Sequence, residues 1–267
     1  MKTAHRKYYP IILIALLAIT ACKKVINLDL GNVSGKLVIE ANVTNAPGPQ
    51  SVTLSRNVSF TSPNVYPPVS GATVSITDGS GNNYPLTEGP AGTYSTNSLT
   101  GIPGNTYTLS VTTGGQTYTA TSTMPQVVTL DSINSKANLI VNSKGQKMIT
   151  AYFQDPPNVA NQYNLLMYVN GVQVKAIFAF NDEFLNGKDV TLDLQQNDID
   201  IYSGDTVKVQ MQCIDNAIYK YWFTLAQQQA NNPGGQVAPA NPPTNITPTT
   251  LGYFSAHTTQ SITLVVK

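Results

Sequence analysis

The stretch Tyr163-Asn164-Leu165-Leu166-Met167-Tyr168-Val169-Asn170-Gly171-Val172-Gln173-Val174-Lys175-Ala176-Ile177-Phe178 decides how this chain is read. Asn-Gly is a strong hairpin signal, because both central residues of a two-residue primed turn need positive φ. A turn at Asn170-Gly171 sets Val169 opposite Val172, Met167 opposite Val174, Leu165 opposite Ala176 and Tyr163 opposite Phe178. Every pair is apolar and lies on one face, the period-two pattern of a half-buried sheet. A slip of one residue would turn all of them to solvent, so the pattern itself specifies the register.

Two more hairpins stand upstream. The loop Asp78-Gly79-Ser80-Gly81-Asn82 pairs Ile76 with Tyr84 and Val74 with Leu86. Gly114-Gly115 pairs Val111 with Tyr118 and Leu109 with Ala120. Leu37, Ile39, Ala41 and Val43 alternate with more polar neighbours, as a strand with one buried face does. Further strands are predicted over 147–153, 190–194, 207–213 and 261–266. Short strands at this spacing, with turn residues between them, predict an all-β chain of two tandem β-sandwich domains. Their expected extents are 36–125 and 126–267.

One amphipathic helix is predicted in the second domain, over 215–231. The Asp215 carboxylate can accept a first-turn amide and cap it. Ile218, Tyr221, Trp222 and Leu225 follow the i, i+3, i+4, i+7 rule, and Pro233-Gly234 stops the run. This aromatic face is read as packing on the sheet, with ligand stacking as the alternative. The Pro-rich excursion 231–250 is predicted to escape regular pairing, since proline lacks an amide donor. Leu251-Gly252-Tyr253-Phe254 then returns the chain to a final strand.

The first residues read as an export signal over 1–21. Lys2, Arg6 and Lys7 precede an unbroken apolar run at 11–19, too short to cross a bilayer. The run ends in Ile19-Thr20-Ala21-Cys22, the pattern of a lipoprotein signal in which Cys22 becomes the acylated (palmitate-bearing) N-terminus, followed by a linker over 22–35. Several acyl chains hold a protein almost irreversibly at a membrane without any span. Residue 23 is Lys, not Asp, and no acidic cluster follows the cysteine. The expected site is therefore the outer membrane, with the periplasmic and surface-facing sides both open.

Composition narrows the chemistry. The 267 residues carry 15 Lys+Arg and 14 Asp+Glu, so there is no basic footprint for nucleic acid. Once the signal is removed, His257 is the only histidine and Cys213 the only cysteine besides Cys22. No Gly-x-Ser-x-Gly elbow, zinc spacing, phosphate loop or dinucleotide fingerprint is present. The chain is read as non-enzymatic and without a cofactor. Asp182, Glu183, Asp189, Asp193, Asp198, Asp200 and Asp205 crowd one stretch, read as solvated turns and strand edges. No metal is expected; Asp198 and Asp200 are the weak candidates. Tyr66, in a Pro-rich loop, and Tyr253 with Phe254 are the candidate partner or ligand contacts.

Several stretches together resemble a known family. Lys36-Leu37-Val38-Ile39-Glu40, Gly71-Ala72-Thr73-Val74, Gly92-Thr93-Tyr94, Tyr118-Thr119-Ala120 and Leu130-Asp131-Ser132-Ile133 stand in order. Tyr152-Phe153-Gln154-Asp155-Pro156, Tyr219-Lys220-Tyr221-Trp222 and Thr244-Asn245-Ile246 follow. With the lipobox, this order resembles the domain-of-unknown-function family 4249, lipoproteins of Bacteroidota-type bacteria often encoded beside TonB-dependent transporters. The first half is also similar to carboxypeptidase-regulatory-like, transthyretin-like sandwiches, which are usually non-catalytic. The resemblance implies an accessory or docking lipoprotein of a TonB-dependent outer-membrane transporter, and supplies no catalytic residues. A surface module for glycan or peptide is the alternative.

Overall fold

The structure is a computed structural model that describes residues 34–59, 62–138, 145–229 and 241–267. Cys22 and the export signal lie outside the described residues, as does 231–240 of the Pro-rich stretch. The first half forms β1 (Leu37–Thr44), β2 (Gln50–Arg56), β3 (Thr73–Asp78), β4 (Asn83–Glu88), β5 (Thr93–Thr96), β6 (Thr106–Thr113) and β7 (Gln116–Thr123). The second half forms β8 (Leu130–Ala137), β9 (Lys147–Gln154), β10 (Gln162–Val169), β11 (Val172–Gln173), β12 (Phe178–Asn181), β13 (Asp189–Leu194) and β14 (Thr206–Cys213). A helix, α1 (Asn216–Gln229), β15 (Ile246–Thr247) and the long β16 (Leu251–Val265) close the chain. The fold is all-β. One sheet runs β11-β10-β14-β16-β1-β2-β5-β4-β3-β6-β7-β15, with β12 also on β10, and a second sheet runs β13-β9-β8.

Two cores fill these sheets. The first gathers Ile39, Val52, Ile76, Tyr94, Leu109 and Val111 from β1 to β7. The second lies between the β13-β9-β8 sheet and the β10, β14 and β16 strands, with Phe153, Leu165, Met167, Val209 and Met211 buried. The chain crosses from one to the other between Met124 and Val128. The second core does not keep all of 126–267, however. Ile246, Phe254 and Ala256 return to the first core. β16 joins both: Val38 to Thr44 pair in parallel with Leu251 to His257, and Thr206 to Cys213 pair antiparallel with Thr258 to Val265. Side chains alternate along a strand, so one face of β16 gives Phe254 and Ala256 to the first core and Ile262 and Leu264 to the second.

The local hairpins have the registers their turns dictate. Val74 opposes Leu86 and Ile76 opposes Tyr84. Leu109 opposes Ala120 and Val111 opposes Tyr118. At the third hairpin Asn170 and Gly171 both adopt positive φ, 50° and 83°, and Val169 opposes Val172 as expected. Met167 meets Val174 as expected too, the Val174 amide donating to Met167 C=O at 2.9 Å, and only beyond Val174 does the expected register fail. Leu165 opposes Phe178 instead of Ala176, and Tyr163 opposes Phe180 instead of Phe178. The cause is a local exit from the ladder: the Lys175 amide donates to Asp198 Oδ2 at 2.8 Å. A shift of two residues preserves the alternation, so the apolar face stays inward.

The helix begins as its cap requires, with Ile218 N–H donating to Asp215 Oδ1 at 3.0 Å. Within the Pro-rich excursion, Ile246 and Thr247 do pair, with Ala120 and Thr119 of β7. Ile246 is buried there, which explains why this dipeptide pairs among prolines.

Candidate functional site

The outer face of β2, β1 and β16 carries an ordered grid. Ser55, Val38 and Leu251 form one row across the strands, and Thr53, Glu40 and Tyr253 the next. Helix α1 lies against one side of this face. Ile218 is buried with Tyr253, and Tyr221 and Trp222 pack on them. The Tyr253 ring meets Tyr221 at 4.9 Å and Trp222 at 5.3 Å between centroids. Such tilted contacts suit aromatic quadrupoles and add to area burial. The aromatic face of α1 is thus mainly core.

The helix leaves a cleft beside it. Val38, Glu40, Leu251, Tyr221, Leu225, Tyr66 and Pro242 line a hollow of about 320 Å³. Tyr66 stands 53% exposed on its wall. Its loop is pinned to β2, since Arg56 N–H donates to Pro67 C=O at 2.9 Å and Val69 N–H to Leu54 C=O at 2.9 Å. The Tyr94 hydroxyl holds the same loop by donating to Val69 C=O at 3.0 Å. The floor of the cleft needs Gly252. Its φ is +95°, and a Cβ there would stand 2.0 Å from Ile39 O.

Glu40 sets the electrostatics. Its carboxyl reaches solvent, but its apolar surroundings raise its pKa above the ordinary value. The Tyr253 hydroxyl is pushed up to about 12, first by burial and further by the Glu40 charge, against a hydrogen bond with Asn42. Burial likewise raises Tyr221, with Tyr253 and Glu40 adding to it. A larger hollow of about 650 Å³ lies at the strand ends, with Lys36, Arg56 and Tyr118 on its walls, and shares Asn241, Pro242 and Leu251 with the cleft.

Of the contacts read from the sequence, only Tyr66 opens onto this cleft. Phe254 is fully buried in the first core, and Asn245 occupies its amide at 3.0 Å and its carbonyl at 2.8 Å. Tyr253 lies under α1, 9% exposed. Neither can offer a free face to a partner, because a strand beneath a helix buries both its sides. Glu40 has no place in the sequence reading of a site, and Tyr221 and Leu225 enter it only through the ligand-stacking alternative for the helical face. Their signal was the outward position of Glu40 on β1 and the helical aromatic stripe, which become neighbours only after β16 pairs with β1.

The acidic stretch is dispersed among separate donors. Asp193 pairs with Lys136 at 2.7 Å, Asp198 accepts from the Lys175 amide, and Asp200 from the Gln146 side chain. Asp205 accepts from Asn170 Nδ2 and the Tyr202 amide, both at 2.8 Å. Among the described residues no cluster of His, Cys, Asp or Glu converges on a metal position.

Cys213 is buried, and burial raises its thiol pKa. Its sulfur accepts from the Val128 amide at 3.4 Å. Maleimide should therefore label Cys213 at least about a hundredfold more slowly in the native chain than in denaturant, because the thiolate is the nucleophile. Mass spectrometry of the labelled peptide reads this, and equal rates would contradict the burial.

The family profile described as "Domain of unknown function (DUF4249)" matches residues 23–263. The chain belongs to the DUF4249 family. No curated protein matches it. Among solved structures, the adhesin InvE of Yersinia pseudotuberculosis is similar to this DUF4249 chain at 18% identity. The similarity covers 66% of this chain and 55% of the adhesin, with a TM-score of 0.20. The chain thus spans about half the length of that adhesin, and the low score carries no functional argument. No described helix of the DUF4249 chain is long and apolar enough to cross a membrane.

Proposed function

We propose that this DUF4249 chain is a non-enzymatic lipoprotein of the outer membrane, held by acylated Cys22, that acts as a docking component of a TonB-dependent transport system. The observation that carries the reading is the lipobox Ile19-Thr20-Ala21-Cys22 behind its short apolar run. The resemblance of the first half to carboxypeptidase-regulatory-like sandwiches supports it. So does the placement of His257, which is 3% exposed. The cleft beside α1 supplies a surface suited to contact, with exposed Tyr66 and a carboxylate in one place. Mostly apolar hollows with a few convergent polar groups are the usual form of a binding site.

The test has two parts. Mass spectrometry of the mature N-terminus should find acyl groups on Cys22, and Cys22→Ala should release the chain from the membrane. Affinity recovery from native membranes should bring a TonB-dependent transporter with it. A bare N-terminus, or repeated recovery with no transporter, overturns the proposal. The second reading, a glycan- or peptide-binding surface lipoprotein, draws on the same aromatic cleft. Calorimetry against polysaccharides and peptides separates it, because a docking component alone should bind no polysaccharide.

A further inference from the structure

Among the described residues that line the cleft, Glu40 is the single charged side chain, and Lys36 and Arg56 line the adjoining hollow. Lys136 and Asp193 make the ion pair found among the described residues, and they sit on β8 and β13. Glu40 has neither an ion pair nor a hydrogen-bond donor among the described residues. Burial raises the pKa of its carboxyl above the ordinary value. Glu40 is exposed at the cleft, so its carboxylate can be met there by a partner that brings the opposite charge.

The walls narrow the kind of cation. Tyr66 presents a half-exposed ring on a pinned loop, and Tyr221, half-buried against Tyr253 and Trp222, lines the side of α1. A guanidinium is planar, weakly hydrated, stacks on aromatic faces and pairs with carboxylates in a fork, whereas an ammonium is a compact, strongly hydrated point charge. The volume of about 320 Å³ stands at the lower end of ligand pockets and suits one long side chain. A neutral sugar would leave the charge of Glu40 uncompensated.

We propose that the cleft between α1 and the β2, β1 and β16 face receives an arginine side chain of a partner protein, paired with Glu40 and flanked by the rings of Tyr66 and Tyr221. The proposal deepens the docking reading and rests on it. Leu225, Pro242 and Leu251 would cover the methylene stem, which arginine buries while its charged head makes polar contacts.

Trp222 gives a direct readout. It is the single tryptophan of the chain, and its ring meets Tyr221 edge-on at 5.3 Å. N-acetyl-arginine amide titrated into the purified full chain should produce a saturable change in Trp222 fluorescence. N-acetyl-citrulline amide, the uncharged isostere, should bind at least about tenfold more weakly, since a charge-assisted fork is replaced by neutral hydrogen bonds. Glu40→Gln should lose the discrimination between the two, and Tyr66→Ala, at an exposed position, should weaken arginine binding about threefold or more. Unchanged circular dichroism checks the fold of both variants. Equal responses to the two amides, or full arginine binding by Glu40→Gln, overturns the proposal, as does a response to cellobiose with none to arginine. The membrane recovery separates this from the docking reading. A transporter recovered equally by wild type and Glu40→Gln overturns the arginine contact and leaves docking intact. Arginine binding with no partner recovered by either chain overturns docking, and with it the partner.

Discussion

Gly252→Ala should lower the thermal midpoint of the chain more than any other single methyl addition at a glycine. Its Cβ would stand 2.0 Å from Ile39 O and 2.7 Å from Ile39 C, both backbone atoms that cannot rotate aside. The φ of +95° adds strain for any L side chain. Ile39 is the residue opposite Gly252 in the parallel register, so relief of the clash must push β16 away from β1. That movement opens the first core at Phe254 and Ala256, which β16 supplies. We expect a loss of at least about 3 kcal/mol, or roughly 6–12 °C for a chain of this size, read by circular dichroism. Gly115→Ala is the control. It has φ +77° but nothing within 4 Å of its added Cβ, so it should cost only about 1–2 kcal/mol from backbone strain. If the two variants melt together, close approach is not what holds β16 on β1.

That strand also shows where the sequence stopped being readable. The three hairpins close over short loops, and their apolar alternation and Gly or Asn turn residues sit in adjacent positions, so their registers follow from local chemistry. The third keeps its register through Val174 and leaves it at Lys175, whose amide answers to Asp198, a side chain 23 positions away that no local pattern shows. β16 fails for a different reason. Its first half is buried on both faces, with Ser255, His257 and Thr258 enclosed, so the alternation that reveals a half-buried strand is missing. Leu251 to Phe254 and 261–266 both read as strand, and what the sequence hides is that they are one continuous strand and which partners it takes. The partners of the first half lie at the other end of the chain: the Thr250 hydroxyl donates to Leu37 C=O across 213 positions.

The cleft inherits the same difficulty. Glu40 comes from β1, Tyr66 from a loop after β2, Tyr221 from α1 and Leu251 from β16. Each has an ordinary local explanation, and only the parallel pairing of β1 with β16 under α1 assembles them. Tyr66 was readable because a tyrosine between prolines has little core to enter. Tyr253 and Phe254 read as contact candidates after a Pro-rich loop, whereas β16 turns Phe254 into the first core and α1 covers Tyr253.

Acid should destabilise the chain in two steps, and His257 should account for the upper one. The ring is enclosed on β16, with Nδ1 at 2.9 Å from Ser255 Oγ, and burial lowers its pKa from 6.5 to about 4. Between those values the unfolded chain binds a proton that the folded chain refuses. Stability therefore falls as pH drops from about 6.5 to about 4, and below that both states are protonated and the loss is complete. A shift of this size corresponds to on the order of 3 kcal/mol. Glu88 acts lower down. It accepts the amides of Gly71 and Gly92 at 2.9 Å each, which bring its pKa from 4.5 to about 2, so its contribution is present above 4.5 and disappears toward pH 2. Glu40 has the opposite sign, since its raised pKa favours the folded chain as acid is added, and it tempers the upper step. Denaturant midpoints measured from pH 7 to pH 3 should show the slope between 6.5 and 4, and His257→Gln should flatten that part while leaving the fall below pH 4.5 in place. A wild-type curve flat across the upper window, or a variant with an unchanged slope there, would mean that the ring is not held neutral by the fold. The imidazole resonances of His257 decide the point independently, since they should stay in the neutral form until the pH approaches 4.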